Sequence, residues 1–252
     1  MKPLTIRNIT LGEGSPKIIV PIVDSDKQAI LDRAAGFANY PIDMVEWRAD
    51  FFNQAQDFPA VKDVLNGLRN CLPDKILLFT FRTRQEGGAQ SISPEDYLAL
   101  NRQAAESGCV DLIDVEIFAK NAAENIKVIH SAGAKVVGSN HAFDGTPPHS
   151  EILYRLRKAQ DIGADIPKIA VMARSARDVL TLLSATEEMF TNYADRPLLT
   201  MSMGGEGTVS RLAGEIFGSC ATFGTIGQSS APGQIPVSEL AQVLDIIHRA
   251  NS

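Results

Sequence analysis

The 252-residue sequence predicts an α/β fold: a single (β/α)8 barrel of the TIM type over residues 17–252, preceded by a short β-hairpin in residues 1–16. Three observations predict it. Short apolar runs recur with starts roughly 20 to 35 residues apart, a βα spacing. Each run gives way to an amphipathic stretch. Ionisable residues gather at the C-terminal ends of the runs, the end where such barrels carry their sites. A doubly wound open sheet shares this element order, but the first run leads into Pro21-Ile-Val-Asp24 and not into a Gly-rich dinucleotide loop.

In chain order, Leu4–Ile9 and the Gly12-Glu-Gly14 turn read as the hairpin, a plug under the barrel. The strands follow as Ile18–Val23, Met44–Arg48, Ile76–Arg82, Val110–Glu116, Ala134–Ser139, Ile166–Met172, Leu198–Met203 and Ser219–Thr225. Helix starts are marked by Ser93-Pro94 and Thr146-Pro147, each an N-cap followed by proline, and by the box-like Ser175-Ala-Arg-Asp178. Gly108, Gly133 and Gly163 stand where a helix-ending glycine belongs.

A formal net charge of -6 argues against a general nucleic-acid binder, whose surface is basic. Cys71, Cys109 and Cys220 are odd in number and lack paired spacing, so neither a disulfide framework nor a Cys-based zinc site is expected, and a reducing compartment fits. Met1 to Lys17 has no apolar core of signal-peptide type, and no run approaches the ~20 apolar residues that span a bilayer. The expected location is the cytoplasm, without a membrane partner.

Barrel strands are buried on both faces, so a charge within one needs a reason. Alternation puts Glu46, Arg48 and Asp50 on the face of Met44, with Val45 and Trp47 opposite. Arg82 ends the third run, with Glu86 four residues on in Glu86-Gly-Gly88; Asp114 and Glu116 share a face of the fourth. The pattern favours a structural ion-pair network for Asp50, Asp114 and Glu116, and leaves Arg48 and Arg82 open between structure and recognition. Lys168, between Ile166 and Ala170, is open between an ion-paired or snorkelling lysine and an amine that attacks a ketone to form an imine.

His141 sharpens that choice. It stands just beyond the fifth run, and neighbouring parallel strands, about 4.8 Å apart, bring it to the same mouth as Lys168. Histidine takes and returns protons near neutral pH. His130, His149 and His248 fall at surface or boundary positions, and no His-Glu-x-x-His pair suggests a metal site. Met201 and Met203 share a face of the seventh run, as pocket floor or plain core. Gly204-Gly-Glu-Gly207 leads into a helix start with Arg211, suited to an anion. The segment Gln228–Gln234 is small and polar, a lid or an ordinary loop.

At these residues the sequence resembles type I 3-dehydroquinate dehydratase. The matching motifs are Glu46-Trp-Arg48-Ala-Asp50, Phe79-Thr-Phe-Arg82, Glu86-Gly-Gly88, Ile113-Asp-Val-Glu116, Ser139-Asn-His141, Ile166-Pro-Lys168-Ile-Ala170, Met201-Ser-Met203, Ser210-Arg-Leu-Ala-Gly214 and Ser230-Ala-Pro-Gly-Gln234. They run in order from about Pro16 to the last helix. The resemblance implies a barrel enzyme of the shikimate route to aromatic amino acids, a homodimer without metal or cofactor. Lys168 would condense with the C3 ketone of 3-dehydroquinate, and His141, oriented by Glu86, would remove a C2 proton and protonate the departing C1 hydroxyl. Glu46, Arg48 and Arg82 would bind ring hydroxyls, and Arg211, Ser230 and Gln234 the carboxylate. Met201, Met203 and Phe223 would complete the pocket around what becomes 3-dehydroshikimate. Two departures stand out: Pro21 where a serine is usual, which removes one polar contact, and a Gly204-Gly-Glu206 loop without the lysine of some relatives.

A class I aldolase, which also uses a barrel lysine, is the enzymatic rival, and a barrel that only binds a metabolite is the non-enzymatic one. The ordered motifs argue against the first, and retention of Lys168, His141, Glu86 and Arg211 together against the second.

Overall fold

A computed structural model describes residues 1–227 and 233–251. Its strands β1 (Lys17–Ile22), β2 (Met44–Arg48), β3 (Ile76–Thr80), β4 (Leu112–Glu116), β5 (Lys135–Ala142), β6 (Ile166–Met172), β7 (Leu199–Met203) and β8 (Ala221–Thr225) pair in parallel with their neighbours. β8 returns to β1, with Ala221 opposite Lys17. A parallel bridge between Leu198 and Ser219, with the Cys220 N–H on the Leu198 carbonyl at 2.8 Å, joins β7 to β8 and closes the ring. The two-residue strand Ile235–Pro236 is added alongside β8.

Alternation along the strands builds two layers. Inward-facing Ile19, Met44, Ile76, Leu112, Val137, Ile166 and Leu199 form the lower barrel interior. A hairpin closes this end as expected, but its turn is at Arg7-Asn8 and not at Gly12-Glu-Gly14: Leu4–Ile6 pairs with Ile9–Leu11, and Leu11 is wholly buried in the same cluster. Outward-facing Val45, Trp47, Leu77, Phe79, Ile113 and Val115 pack under the helices.

Those helices are α1 (Lys27–Ala35), α2 (Phe58–Cys71), α3 (Pro94–Glu106), α4 (Ala122–Ser131), α5 (His149–Asp161), α6 (Ala176–Asn192), the short α7 (Thr208–Leu212) and α8 (Gly214–Phe217), and α9 (Val237–Asn251). α2 shows why they form. Val61, Val64, Leu65 and Leu68 recur on one helical face and are buried, while Asp57 accepts the Ala60 N–H at the N-terminus. Ser93 and Ser175 cap α3 and α6 as predicted, accepting the N–H groups of Asp96 and Asp178. Gly108, Gly133 and Gly163 follow their helices at φ of 69°, 94° and 100°.

Some boundaries differ from the prediction. α5 begins at His149, and the Thr146 hydroxyl bonds the Met172 carbonyl rather than capping it. β3 stops at Thr80, which leaves Arg82 beyond its end, and β5 runs on through His141, which pairs with Ala170 of β6.

The strand starts share one device. The side chains of Asp43, Asp111 and Asp165, just before β2, β4 and β6, each accept a backbone N–H of the preceding strand: Ile18, Leu77 and Val136, all at 2.8 Å. Before β8 the hydroxyl of Ser219 takes this place and accepts the Thr200 N–H at 3.0 Å. At its outer edge a sheet end therefore keeps its amides satisfied.

Candidate active site

The site grows out of a turn that only glycine allows. After Arg82 the chain reverses through Glu86-Gly87-Gly88. Gly87 takes φ 81°, and a Cβ on Gly88 would stand 1.8 Å from the Arg82 carbonyl oxygen. The reversal turns Glu86 back toward β5, where it is buried. There Glu86 Oε2 accepts the His141 backbone N–H at 3.1 Å and stands 2.9 Å from His141 Nδ1, while Oε1 accepts from Asn140 Nδ2 at 2.9 Å.

Arg82 is the centre of the charge network. Its guanidinium reaches Asp114 Oδ1 at 2.7 Å, Glu116 Oε1 at 3.0 Å and Ser139 Oγ at 2.9 Å, with Glu86 at 3.7 Å. Burial opposes its charge, but these carboxylates outweigh burial and hold its pKa above the ordinary value. Burial likewise opposes the charge of Asp114, and Arg82, Lys168 and the Ser139 hydroxyl outweigh it, so Asp114 lies below the usual carboxylate range. Glu86 goes the other way. Burial, abetted by Glu116 and Asp114 against Arg82, pushes it up to about 7. Burial, and then the cations Arg82, Lys168 and Arg48, hold His141 well below its ordinary value, so its imidazole is neutral at neutral pH.

Lys168 lies on the inner face of β6, opposite Ser139, one inward position below His141 on the neighbouring strand. Its Nζ stands 3.5 Å from Asp114 Oδ2, 3.6 Å from Glu46 Oε1 and 5.0 Å from the centre of the Phe223 ring. Thr80 holds Glu46 from behind, its hydroxyl donating to Oε1 at 2.9 Å. Above the lysine the barrel opens into a cavity of about 140 Å³.

Eleven of the twelve predicted site residues line that cavity: Lys168, His141, Glu86, Glu46, Arg48, Arg82, Met201, Met203, Arg211, Phe223 and Gln234. The twelfth, Ser230, lies outside the described residues, as does most of the predicted lid; at its near end Gly233 abuts the backbone of Gly204, so closely that a Cβ would meet that carbonyl at 2.4 Å. Burial brings Arg211 down to about 10, still charged at neutral pH.

Asp50 is structural, as expected. It holds Arg48 through two bonds of 2.8 and 2.9 Å and accepts the N–H groups of Arg82 and Ala89. Asp114 and Glu116 pair with Arg82, and Asp114 also faces Lys168, the pairing that the ion-paired reading of the lysine expects. Pro21 sits in β1 opposite Glu46, on the inner face with Ile19, and is not among the side chains that line the cavity. Sequence reasoning also missed Phe143, stacked on His141 at 6.1 Å, and Phe51, over which Arg48 lies at 4.9 Å. Phe143 stands two residues after His141, so strand alternation was the signal that could have found it. The other histidines pair with carboxylates away from the cavity: His130 with Asp165, His149 with Glu188 and His248 with Glu215. Among the described residues no group of three or more His, Cys, Asp or Glu side chains is arranged to hold a metal ion.

The arrangement places a lysine amine, a neutral histidine and a carboxylate around one cavity that also carries arginines. That set can form an imine, move a proton beside it and hold an anion. Residues 18–251 match the family model described as type I 3-dehydroquinase. A 3-dehydroquinate dehydratase of Klebsiella pneumoniae (strain 342) is 51% identical over 246 residues, covering 97% of this chain and 98% of that protein. One from Escherichia coli (strain 55989 / EAEC) is 49% identical over 252 residues, covering 99% and 100%. Among solved structures, the type I 3-dehydroquinate dehydratase of Clostridium difficile, with covalent modified comenic acid, superposes with a TM-score of 0.95 at 48% identity over 99% of both chains. The Geobacillus kaustophilus 3-dehydroquinate dehydratase superposes with a TM-score of 0.96 at 40% identity, over 100% of this chain and 98% of that one.

Proposed function

This chain belongs to the type I 3-dehydroquinase family of hydro-lyases, and we propose that it converts 3-dehydroquinate to 3-dehydroshikimate through an imine on Lys168. The observation that carries the mechanism is the placement of Lys168 one inward position below His141, whose Nδ1 is held by Glu86. The covalent modified comenic acid of the Clostridium difficile relative supports a covalent step.

The lysine amine, freed of its proton, adds to the C3 ketone, and loss of water gives a positively charged imine. The lone pair on His141 Nε2 takes a C2 proton, and the C2–H electrons flow toward the imine nitrogen as an enamine. The enamine returns its electrons to expel the C1 hydroxyl, which leaves as water with the proton His141 had taken. A water molecule then hydrolyses the conjugated imine and restores the amine, so the net change is the loss of one water. Arg211, Gln234 and Ser230 hold the carboxylate, Glu46, Arg48 and Arg82 the ring hydroxyls, and Met201, Met203 and Phe223 the apolar faces. We further propose that the enzyme acts in the cytoplasm, as a homodimer of single-domain barrels serving aromatic amino-acid biosynthesis.

Borohydride trapping tests the roles. With 3-dehydroquinate the wild type should gain one adduct, mapping to Lys168. Lys168→Ala should trap none and lose turnover. His141→Ala should still trap an adduct while turnover falls by ~10²–10⁴-fold, the range for a lost general acid–base group. An adduct on another lysine, or a fully active His141→Ala enzyme, would refute the assignment.

A further inference from the structure

The residue beside the proposed base faces the other way. Asn140 lies on the outer face of β5, two positions beyond Gly138. Gly138 lets the outer layer come close: a Cβ there would stand 2.5 Å from the Ala164 Cβ and 3.4 Å from the Ala159 Cβ of α5. One turn earlier on α5, Arg155 Nη1 donates to Asn140 Oδ1 at 2.8 Å. Arg155 is itself held by Glu151 at 2.8 Å and by the Phe118 ring at 5.8 Å.

We propose that Arg155 and Asn140 form a positioning relay that fixes the orientation of Glu86 and, through it, the tautomer of His141; this rests on the reading of His141 as the base. A guanidinium only donates, so it dictates which end of the Asn140 amide faces it. With Oδ1 toward Arg155, Nδ2 must face Glu86, where it donates at 2.9 Å. An ionised Glu86 then accepts from Asn140, from the His141 backbone and from Nδ1–H. The hydrogen on Nδ1 leaves the Nε2 lone pair for the cavity.

Without Arg155 the amide is free to turn its oxygen on the carboxylate. Two acceptors then meet, and Glu86 relieves the conflict by taking a proton. That proton lies on Oε1 against the Asn140 oxygen, so the carboxyl is neutral, holds Nδ1–H only weakly through Oε2, and no longer supports the charge that His141 gains as a base. The other groups facing Glu86 are Arg82 beyond β3, Asp114 and Glu116 of β4, and His141; Arg48 and Lys168 act on the imidazole. No bond joins Arg155 to any of these.

The test follows kcat, KM, the kcat/KM–pH profile and Tm in Arg155→Met, Arg155→Lys, Asn140→Ala and the Arg155→Met/Asn140→Ala double variant. Arg155→Met should lower kcat roughly tenfold with KM within about twofold, and move the acid limb of the profile to higher pH. Arg155→Lys, which keeps a donor and the charge, should recover part of both. Asn140→Ala should match Arg155→Met, and the double variant should be no worse than Asn140→Ala alone. Additive losses, an unmoved acid limb, or a fall in Tm alone would overturn the relay. All variants should still trap a borohydride adduct on Lys168. A wild type that neither turns over 3-dehydroquinate nor traps an adduct sinks the proposed function and the relay with it. An active wild type indifferent to Arg155→Met sinks only the relay.

Discussion

Glu86 is a carboxyl placed where ionisation is costly and useful at once. Burial and two neighbouring carboxylates raise it to about 7, while hydrogen bonds from Asn140 and His141 wait for its charged form. Below that pH it carries a proton and His141 holds its hydrogen on the wrong nitrogen; above it Nε2 is free to act. The kcat/KM of the wild type should therefore rise with pH through about 7 and level off, and Glu86→Gln should flatten that limb at a lower plateau. An acid limb near the ordinary carboxyl range in the wild type would disprove this. The same shift has a sign in stability. The folded state holds the proton more tightly than the unfolded chain, so this group's contribution falls as pH rises from 4.5 to about 7. Its full cost above that window is about 3 kcal/mol. Denaturant titrations should show Glu86→Gln gaining on the wild type at pH 8 relative to pH 5; equal differences at both pH values would exclude the linkage.

At the scale of elements, the aspartates before β2, β4 and β6 make a graded prediction, because they do different amounts at equivalent places. Asp43 serves the Ile18 N–H, whereas Asp111 serves the Leu77 N–H, Arg69 at 2.7 Å and Arg7 at 2.9 Å. Removing Asp111 takes the acceptor from a strand amide and the carboxylate from two arginines, which keep only backbone carbonyls. Asp111→Ala should cost about 3 kcal/mol and Asp43→Ala about 1 kcal/mol, with Asp111→Asn between them since its oxygen still meets Leu77. Urea midpoints at constant slope measure this, and the reverse order would refute it. None of this device was legible in the sequence, where an isolated aspartate before an apolar run looks like an ordinary turn residue. The runs were legible, because β-branched, two-sided burial leaves few readings. Glu46, Arg48, Arg82 and Lys168 were legible because charges inside such runs stand out, whereas Gln234 and Phe223 rested on the family resemblance. Strand ends were harder to read: Asn140-His141, just past the predicted end at Ser139, is polar and looks like loop, yet its backbone stays paired to β6. The contact of Arg155 with Asn140 depends on how closely α5 packs on β5, which no local pattern encodes.

Across the whole molecule the two ends of the barrel are assigned to different tasks. The C-terminal mouth collects buried charge at some cost to stability, while the barrel interior at the N-terminal end is apolar and sealed by the hairpin. Leu11 is the seal: fully buried, it packs in the cluster of Ile19, Met44, Ile76, Leu112 and Leu199. The groups proposed to react lie nearer the other end of the same strands, with Lys168 two positions beyond Ile166 and His141 four beyond Val137. Leu11→Ala would leave a cavity among residues held by barrel hydrogen bonds on all sides, so collapse can fill little of it. The cost should be about 2–4 kcal/mol, within the range for leucine-to-alanine changes in cores. For a chain of this length that corresponds to a fall in Tm of roughly 4–16 °C. Yet kcat and KM, measured well below the transition, should stay within about twofold of the wild type, because none of the cavity-lining side chains belongs to the hairpin. Differential scanning calorimetry alongside steady-state kinetics on the same preparation separates the two effects. If Leu11→Ala lowered kcat tenfold at full occupancy of the folded state, the layers would be mechanically coupled, and the hairpin would have to be counted as part of the site rather than as its foundation.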